Sequence, residues 1–323
     1  MRTEVLDVKS AVGKLLCYPV FYPSGKKLLA KGRLLSEEDI RLLDSEGHSR
    51  VSVAVLEDGE VPEEEAAVGI ASQAACGAME IRVAAGGRAN LHATENCCLL
   101  LDEQLLRAVN LSGCLTMATG ENFSHAEAGN RLATVKTAPF AVRRAAYEEV
   151  LRRVSEQGPL IQARPIRNPT VGVLYSDPRH GDRARQLFEG IMRTRLSRFG
   201  VSVTYALTAQ EDPAAIARSL DYLLRAKPTV ILVASTTAPA GPEDAVGLGV
   251  SEVGCRLESF LAPVEPGNLL LLAYAGEIPV VAAPGCFRSP KPNVVDLVLP
   301  PLLARYPLSA AEISTLGHGG LMQ

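Results

Sequence analysis

Thr170-Val-Gly-Val-Leu-Tyr175, Val201-Ser-Val-Thr-Tyr-Ala206 and Thr229-Val-Ile-Leu-Val-Ala234 are three short apolar runs rich in β-branched residues. Between them lie two stretches with helical periodicity, Asp182 to Phe199 and Pro213 to Arg225. Buried-type strands that alternate with amphipathic helices are the signature of a doubly wound parallel sheet, because each crossover helix covers one face of the sheet. Two further strands are expected at Leu269-Leu-Leu-Leu-Ala273 and Pro279-Val-Val-Ala-Ala283, and a last helix from about Lys291 to Leu303.

Upstream of the connector Ala163-Arg-Pro-Ile-Arg-Asn-Pro169 the rhythm is shorter and more mixed. Lys14 to Phe21 is strand-like, Ser36 is placed to cap a helix that begins with Glu37-Glu38-Asp39, and Arg50 to Leu56 alternates with period two. Pro62-Glu-Glu-Glu opens an Ala-rich helix, the stretch from Met79 to Thr119 is strand-rich, and Phe140 to Glu156 reads as helix. The expected organisation is therefore an N-terminal mixed α/β lobe over residues 1–165 and a C-terminal α/β domain over residues 166–323.

Composition narrows the function. The chain has 323 residues, 47% of them apolar, ample for two cores. Its 33 Lys and Arg against 36 Asp and Glu give a formal charge of −3, which supplies no bulk positive field for a nucleic-acid backbone. Aromatics are 5% of residues and Trp is absent, which argues against base-stacking platforms. No apolar run reaches the ~20 residues of a membrane helix, and the opening Met1-Arg2-Thr3-Glu4 lacks a signal-like core, so a soluble cytoplasmic protein with no membrane partner is expected. The seven cysteines are scattered, with no C-x-x-C pair, and the five histidines (His48, His92, His125, His180, His318) have no zinc-like spacing.

In an open α/β sheet, ligands collect beyond the carboxyl ends of the strands. Three loops are candidates. The first is Ser235-Thr236-Thr237-Ala238-Pro239-Ala240-Gly241-Pro242-Glu243-Asp244, with small hydroxyls and Gly241 to admit a phosphate and two carboxylates at its end. It also reads as a polar loop closed by an Asp cap. The second is Pro284-Gly285-Cys286-Phe287-Arg288-Ser289-Pro290-Lys291, where Gly285 permits close approach and Arg288 and Lys291 offer cationic hydrogen bonds. A strand–helix turn with two solvated cations has the same sequence. Cys286 has no identified base. The third, Pro263 to Asn268, contains Pro266-Gly267-Asn268, ordinarily a turn. A phosphate-binding P-loop, a dinucleotide fingerprint at Gly247-Leu-Gly249 and a G-x-S-x-G elbow are all missing.

At these loops the chain resembles the molybdopterin-binding domain of molybdopterin adenylyltransferases and molybdenumtransferases, and most nearly the bacterial molybdopterin-binding proteins often fused to a cytidylyltransferase-like domain. The matching stretches are Gly87-Arg-Ala-Asn-Leu91, Ala133-Thr-Val-Lys136, Pro139-Phe-Ala-Val142, Val264 to Leu272, Pro284-Gly-Cys286, Arg288-Ser-Pro-Lys291 and Gly319-Gly-Leu321. The resemblance implies a molybdopterin-binding sheet preceded by a molybdenumtransferase-like lobe, and a role in molybdenum cofactor biosynthesis or maturation. It implies that Ser235, Thr236, Thr237, Gly241 and Glu243, with Pro266, Gly267 and Asn268, and with Pro284, Gly285, Cys286, Arg288, Ser289 and Lys291, bind the pterin and its phosphate. Asp244 would be catalytic and hold Mg²⁺ or act on a nucleotide. The expected partners are molybdopterin, a cytidylyltransferase or a molybdenum hydroxylase, and a second copy in a homodimer. Three positions depart from the family pattern: Ser235 stands where Gly is usual, Gly241 where an acid is usual, and Cys286 where the molybdenumtransferases have Asn. The missing acid puts catalysis in question and leaves a degenerate site on a non-catalytic scaffold as the alternative. The stop after Gln323 leaves no room for the fused cytidylyltransferase, so that activity is expected to be absent.

Overall fold

A computed structural model describes residues 1–322 apart from Ala85, His180 and Ala238. The chain forms two units: Met1–Thr94 with Leu101–Glu121 and Glu127–Ala163, and Glu95–Leu100 with Asn122–Ala126 and Arg164–Gln323. Two short pieces of the N-terminal sequence thus belong to the second unit, where Cys98, Leu100 and Phe123 join its apolar core.

The second unit is built on β1 (Val171–Asp177), α1 (Gly181–Ser197), β2 (Val203–Gln210), α2 (Pro213–Arg225), β3 (Val230–Ser235), α3 (Ala245–Glu252), β4 (Arg256–Phe260), β5 (Leu271–Ala275), β6 (Ile278–Ala282), α4 (Val294–Leu303) and α5 (Ala310–Thr315). The six strands form one sheet in the order β2-β1-β3-β6-β5-β4. β2, β1, β3 and β6 are parallel, and β5 runs antiparallel to both neighbours. Every residue of β1 and β3 is buried, which is why Val171–Tyr175 and Val230–Ala234 are apolar without alternation. Core clusters cover both faces: Phe188, Met192 and Leu196 of α1 with Val295, Val298 and Leu302 of α4 on one, and Ile216, Leu220 and Leu223 of α2 with Val246 and Val250 of α3 on the other.

The expected mostly parallel sheet is present, with differences of local origin. The runs expected at 269–273 and 279–283 form a hairpin, because Gly276, at φ 60°, closes the two-residue turn between Ala275 and Ile278. Helix α3 and strand β4 were not foreseen. Gly247 and Gly249, barren as a dinucleotide motif, are packing residues: a Cβ on Gly249 would lie 2.6 Å from Ile216 Cγ2, so α2 and α3 approach at a glycine.

The first unit holds several small sheets and short helices, among them an antiparallel sheet of Leu115–Thr119, Arg131–Thr137, Arg88–Ala93 and Met79–Ala84. Ser36 caps the helix Glu37–Ser45 in a reciprocal box with Asp39. The helix expected from Phe140 begins only at Arg144, because Ala141–Arg143 pairs as a strand with Glu60–Pro62 and buries Val142. Part of the supposed connector is also strand, Ile161–Pro165. Among the described residues no helix is long and apolar enough to cross a membrane.

Candidate functional site

The chain leaves β1 for β2 on one side and returns to β3 on the other, so the carboxyl ends of β1 and β3 flank the topological switch point of the sheet. A crevice opens at such a point because the two connections diverge. β1 ends in Asp177 and β3 in Ser235, side by side in a parallel register that pairs Ser176 with Ser235.

Asp177 is fully buried, and its carboxylate organises the rim. Oδ1 accepts from the Arg179 amide at 2.8 Å, and Oδ2 accepts from Thr236 Oγ1 at 2.7 Å and faces Arg183 Nη1 at 3.4 Å. Glu211, just beyond β2, accepts from Ser235 Oγ at 2.6 Å and from Thr237 Oγ1. The hydroxyls of the first loop are therefore held by two carboxylates, which fixes the loop's shape. The guanidinium of Arg288 crosses to donate to the Thr236 carbonyl and lies 5.8 Å from the Phe188 ring. The first and second candidate loops meet at this contact.

Between them is a cavity of about 350 Å³ lined by Pro178, Arg179, Arg183, Leu187, Thr236, Thr237 and Arg288. Among the described residues three arginines line it and no Asp or Glu does. Arg179's side chain makes no hydrogen bond or ion pair to a described residue, and Arg183 stands in the first turn of α1, where the helix dipole disfavours a cation. An anion in the cavity relieves that repulsion and engages the planar forks in charge-assisted hydrogen bonds.

The second loop is fixed from behind. Gly285–Arg288 forms a single 3₁₀ turn after Pro284. Arg195, 2% exposed, pairs with Asp296, donates to the Ser289 carbonyl at 3.0 Å and the Lys291 carbonyl at 3.2 Å, and stacks 4.9 Å over Phe287. Arg288 is aimed at the cavity, whereas Lys291 does not line it. The third loop packs on the start of α4: the Val294 amide donates to Pro266 O at 3.2 Å, the Ala262 amide to Asn268 O at 2.9 Å, and Gly267, at φ 130°, faces Val294. Its Glu265 is near enough to Cys286 to act on it. Burial first, and that carboxylate second, push the Cys286 thiol above its ordinary value, so it is not a ready thiolate nucleophile.

Asp244 has a structural task at the end of the first loop. Its Oδ1 accepts from the Gly247 amide at 2.8 Å and its Oδ2 from the Ala240 and Gly241 amides at 2.6 and 3.4 Å, which makes it the N-cap of α3. Both oxygens are in use. Among the described residues no group of three or more His, Cys, Asp or Glu is placed to hold a metal ion. Glu243 is exposed beside it, and Ala238 lies outside the described residues. Of the residues expected from sequence, Thr236, Thr237 and Arg288 line one cavity, Ser235 and Gly241 shape its loop, Pro284, Gly285, Cys286 and Ser289 belong to the turn that carries Arg288, and Pro266, Gly267 and Asn268 are not among the cavity's lining residues. Sequence reasoning missed Asp177, Arg179, Arg183 and Glu211. The signal was available in Ser176-Asp177-Pro178-Arg179, a polar break at the end of a buried strand.

Residues 5–55 match a family model described as a domain of unknown function, DUF8806. No curated protein matches the chain. Among solved structures it is similar to a molybdenum cofactor biosynthesis protein from Pyrococcus furiosus, at 12% identity and a TM-score of 0.23 over 94% of this chain, and spans 64% of that protein's length. It is also similar to two structures of the molybdopterin biosynthesis MoeA protein from Pyrococcus horikoshii. Identities are 10% and 9% and TM-scores 0.33 and 0.27, over 94% of this chain and 75% and 74% of theirs. These values describe a distant structural likeness and nothing finer.

Proposed function

We propose that the switch-point cavity binds molybdopterin through its phosphate, and that the chain serves molybdenum cofactor maturation by holding the pterin for a partner. The observation that carries this reading is the convergence of Arg179, Arg183 and Arg288 on one small cavity beside Thr236 and Thr237. Three arginines around one cavity suit a phosphate dianion, and about 350 Å³ is at the lower end of the ~300–1,000 Å³ typical of small-molecule pockets. The choice of molybdopterin among phosphorylated heterocycles rests on the resemblance of the loop sequences. When bound, the pterin's dithiolene supplies the metal ligation. The protein's residues bind and orient: Arg183 and Arg288 neutralise the phosphate, and the Asp177- and Glu211-tethered loop forms the wall.

Holding is favoured over metal insertion because Asp244, the acid that closes the loop, has both oxygens committed to backbone amides. The recipients proposed are a cytidylylating enzyme or a molybdenum hydroxylase. Titration of the protein with molybdopterin, followed by quenching of pterin fluorescence, is expected to saturate. Joint Arg183→Ala and Arg288→Ala substitution is expected to weaken binding by about 100-fold or more, at roughly 1.5–3 kcal/mol per charged hydrogen bond. Equal binding by the double variant, or none by the wild type, refutes the proposal. Capture of a partner that persists without pterin favours the scaffold reading.

A further inference from the structure

A second cavity of this unit lies at the opposite rim of the sheet. About 1030 Å³ in volume, it opens at the amino ends of β3 and β6, between the β5–β6 turn and the segment joining α4 to α5. Its walls include the apolar Leu224, Ile278 and Pro307, and the ring of Tyr306 stands under the Arg164 guanidinium at 5.7 Å.

Four cations line it, Arg164, Lys227, Arg256 and Arg305, against two carboxylates, Glu258 and Glu277. Arg164 is committed to the carbonyls of Ala304 and Arg305 at 2.9 and 2.8 Å, and Arg256 to Glu258. The side chains of Lys227 and Arg305 make no hydrogen bond or ion pair to a described residue. Both occupy the position just past a helix C-cap, α2 for Lys227 and α4 for Arg305, in left-handed conformations at φ 49° and 57°. Glycine is the residue that fits such a position without strain. Cations there do complement the helix dipole, but a cation one turn earlier would do so in ordinary helical geometry. Two strained cations at one cavity mouth, over an apolar floor with one stacked Tyr, make an amphipathic anion site.

We propose that this cavity is a second binding site, for a small organic anion with an apolar or aromatic body and one acidic group, which Lys227 and Arg305 engage while the body rests on Leu224, Ile278 and Tyr306. The left-handed geometry provides a clean test, because glycine removes the cation and relieves the backbone together. Anilinonaphthalene sulfonate is the probe, titrated by fluorescence against the full chain.

Saturable binding is expected in the wild type and in the Arg183→Ala, Arg288→Ala variant of the other rim. In the Lys227→Gly, Arg305→Gly variant the affinity is expected to fall by at least about tenfold with the melting temperature unchanged or raised. N-phenylnaphthylamine, the same body without its sulfonate, is expected to bind at least about tenfold more weakly than the sulfonate to wild type. Unchanged affinity in the glycine variant, loss confined to the Arg183, Arg288 variant, or equal binding of the uncharged probe overturns the proposal.

Discussion

Asp177 and Asp244 are both aspartates at the rim of the same sheet, yet they do different work. Asp244 spends its carboxylate on three backbone amides, so its removal is a question of stability. Asp244→Ala is expected to cost about 1 kcal/mol of stability, the usual worth of an N-cap, read by chemical denaturation, with pterin binding changed far less than by loss of Arg183. Asp177 ties Thr236 and Arg183 to one point, and Asp177→Ala is expected to weaken phosphate binding by loosening both. Asp39 of the first unit gives a pH dependence. Burial pushes its carboxyl up, but hydrogen bonds from Arg33 and Ser36 outweigh that and hold it below its ordinary value. A group with a depressed folded pKa contributes stability that is present above the unfolded value and lost as pH falls through the folded one. The wild type is therefore expected to lose more stability than Asp39→Asn between pH 6 and about pH 3, as measured by urea midpoints.

At the scale of elements, the segment from Pro284 to Asn293 is positioned by a residue in a different helix. Arg195 of α1 is buried against Asp296 of α4 and carries the Ser289 and Lys291 carbonyls, so it holds the turn that presents Arg288. Arg195→Met removes the buried partner of Asp296, which keeps only Arg198 at 3.7 Å and the Asn293 amide, and is expected to cost about 2–4 kcal/mol, visible as a lower denaturation midpoint. Gly267→Ala is expected to be destabilising as well, since its Cβ would sit 2.5 Å from Val294 Cγ1 in a left-handed conformation. The strands and helices from Thr170 to Ala234 were legible because a fully buried strand has no polar alternation and its crossover helices keep a 3.6-residue period. The short elements were not. Helix α3 has eight residues with two glycines, β4 carries Arg, Glu and Ser, and Ala141–Arg143 takes its extended form from a distant partner strand. The cavity was half legible. Arg288, Thr236 and Thr237 follow strands recognisable in the sequence, but Arg179 and Arg183 enter through the end of β1, two residues past the expected boundary, where a strand end depends on register with its neighbours.

At the scale of the whole molecule, a chain of formal charge −3 carries its cations unevenly, gathering three arginines around one rim cavity of the second unit. Attraction of a phosphorylated ligand is then local, and its affinity is expected to fall with ionic strength as exposed guanidinium groups are screened within a Debye length of ~10 Å at 0.1 M salt. The two rims of the sheet also divide by chemistry, planar forks with hydroxyls at one and paired cations over an apolar floor at the other. The most direct measurement is a crystal structure of the protein soaked with molybdopterin. The terminal phosphate is expected between Arg179, Arg183 and Arg288, with guanidinium nitrogens at about 2.7–3.0 Å from its oxygens. A phosphate bound away from the switch point, with those three side chains left in solvent, would contradict it.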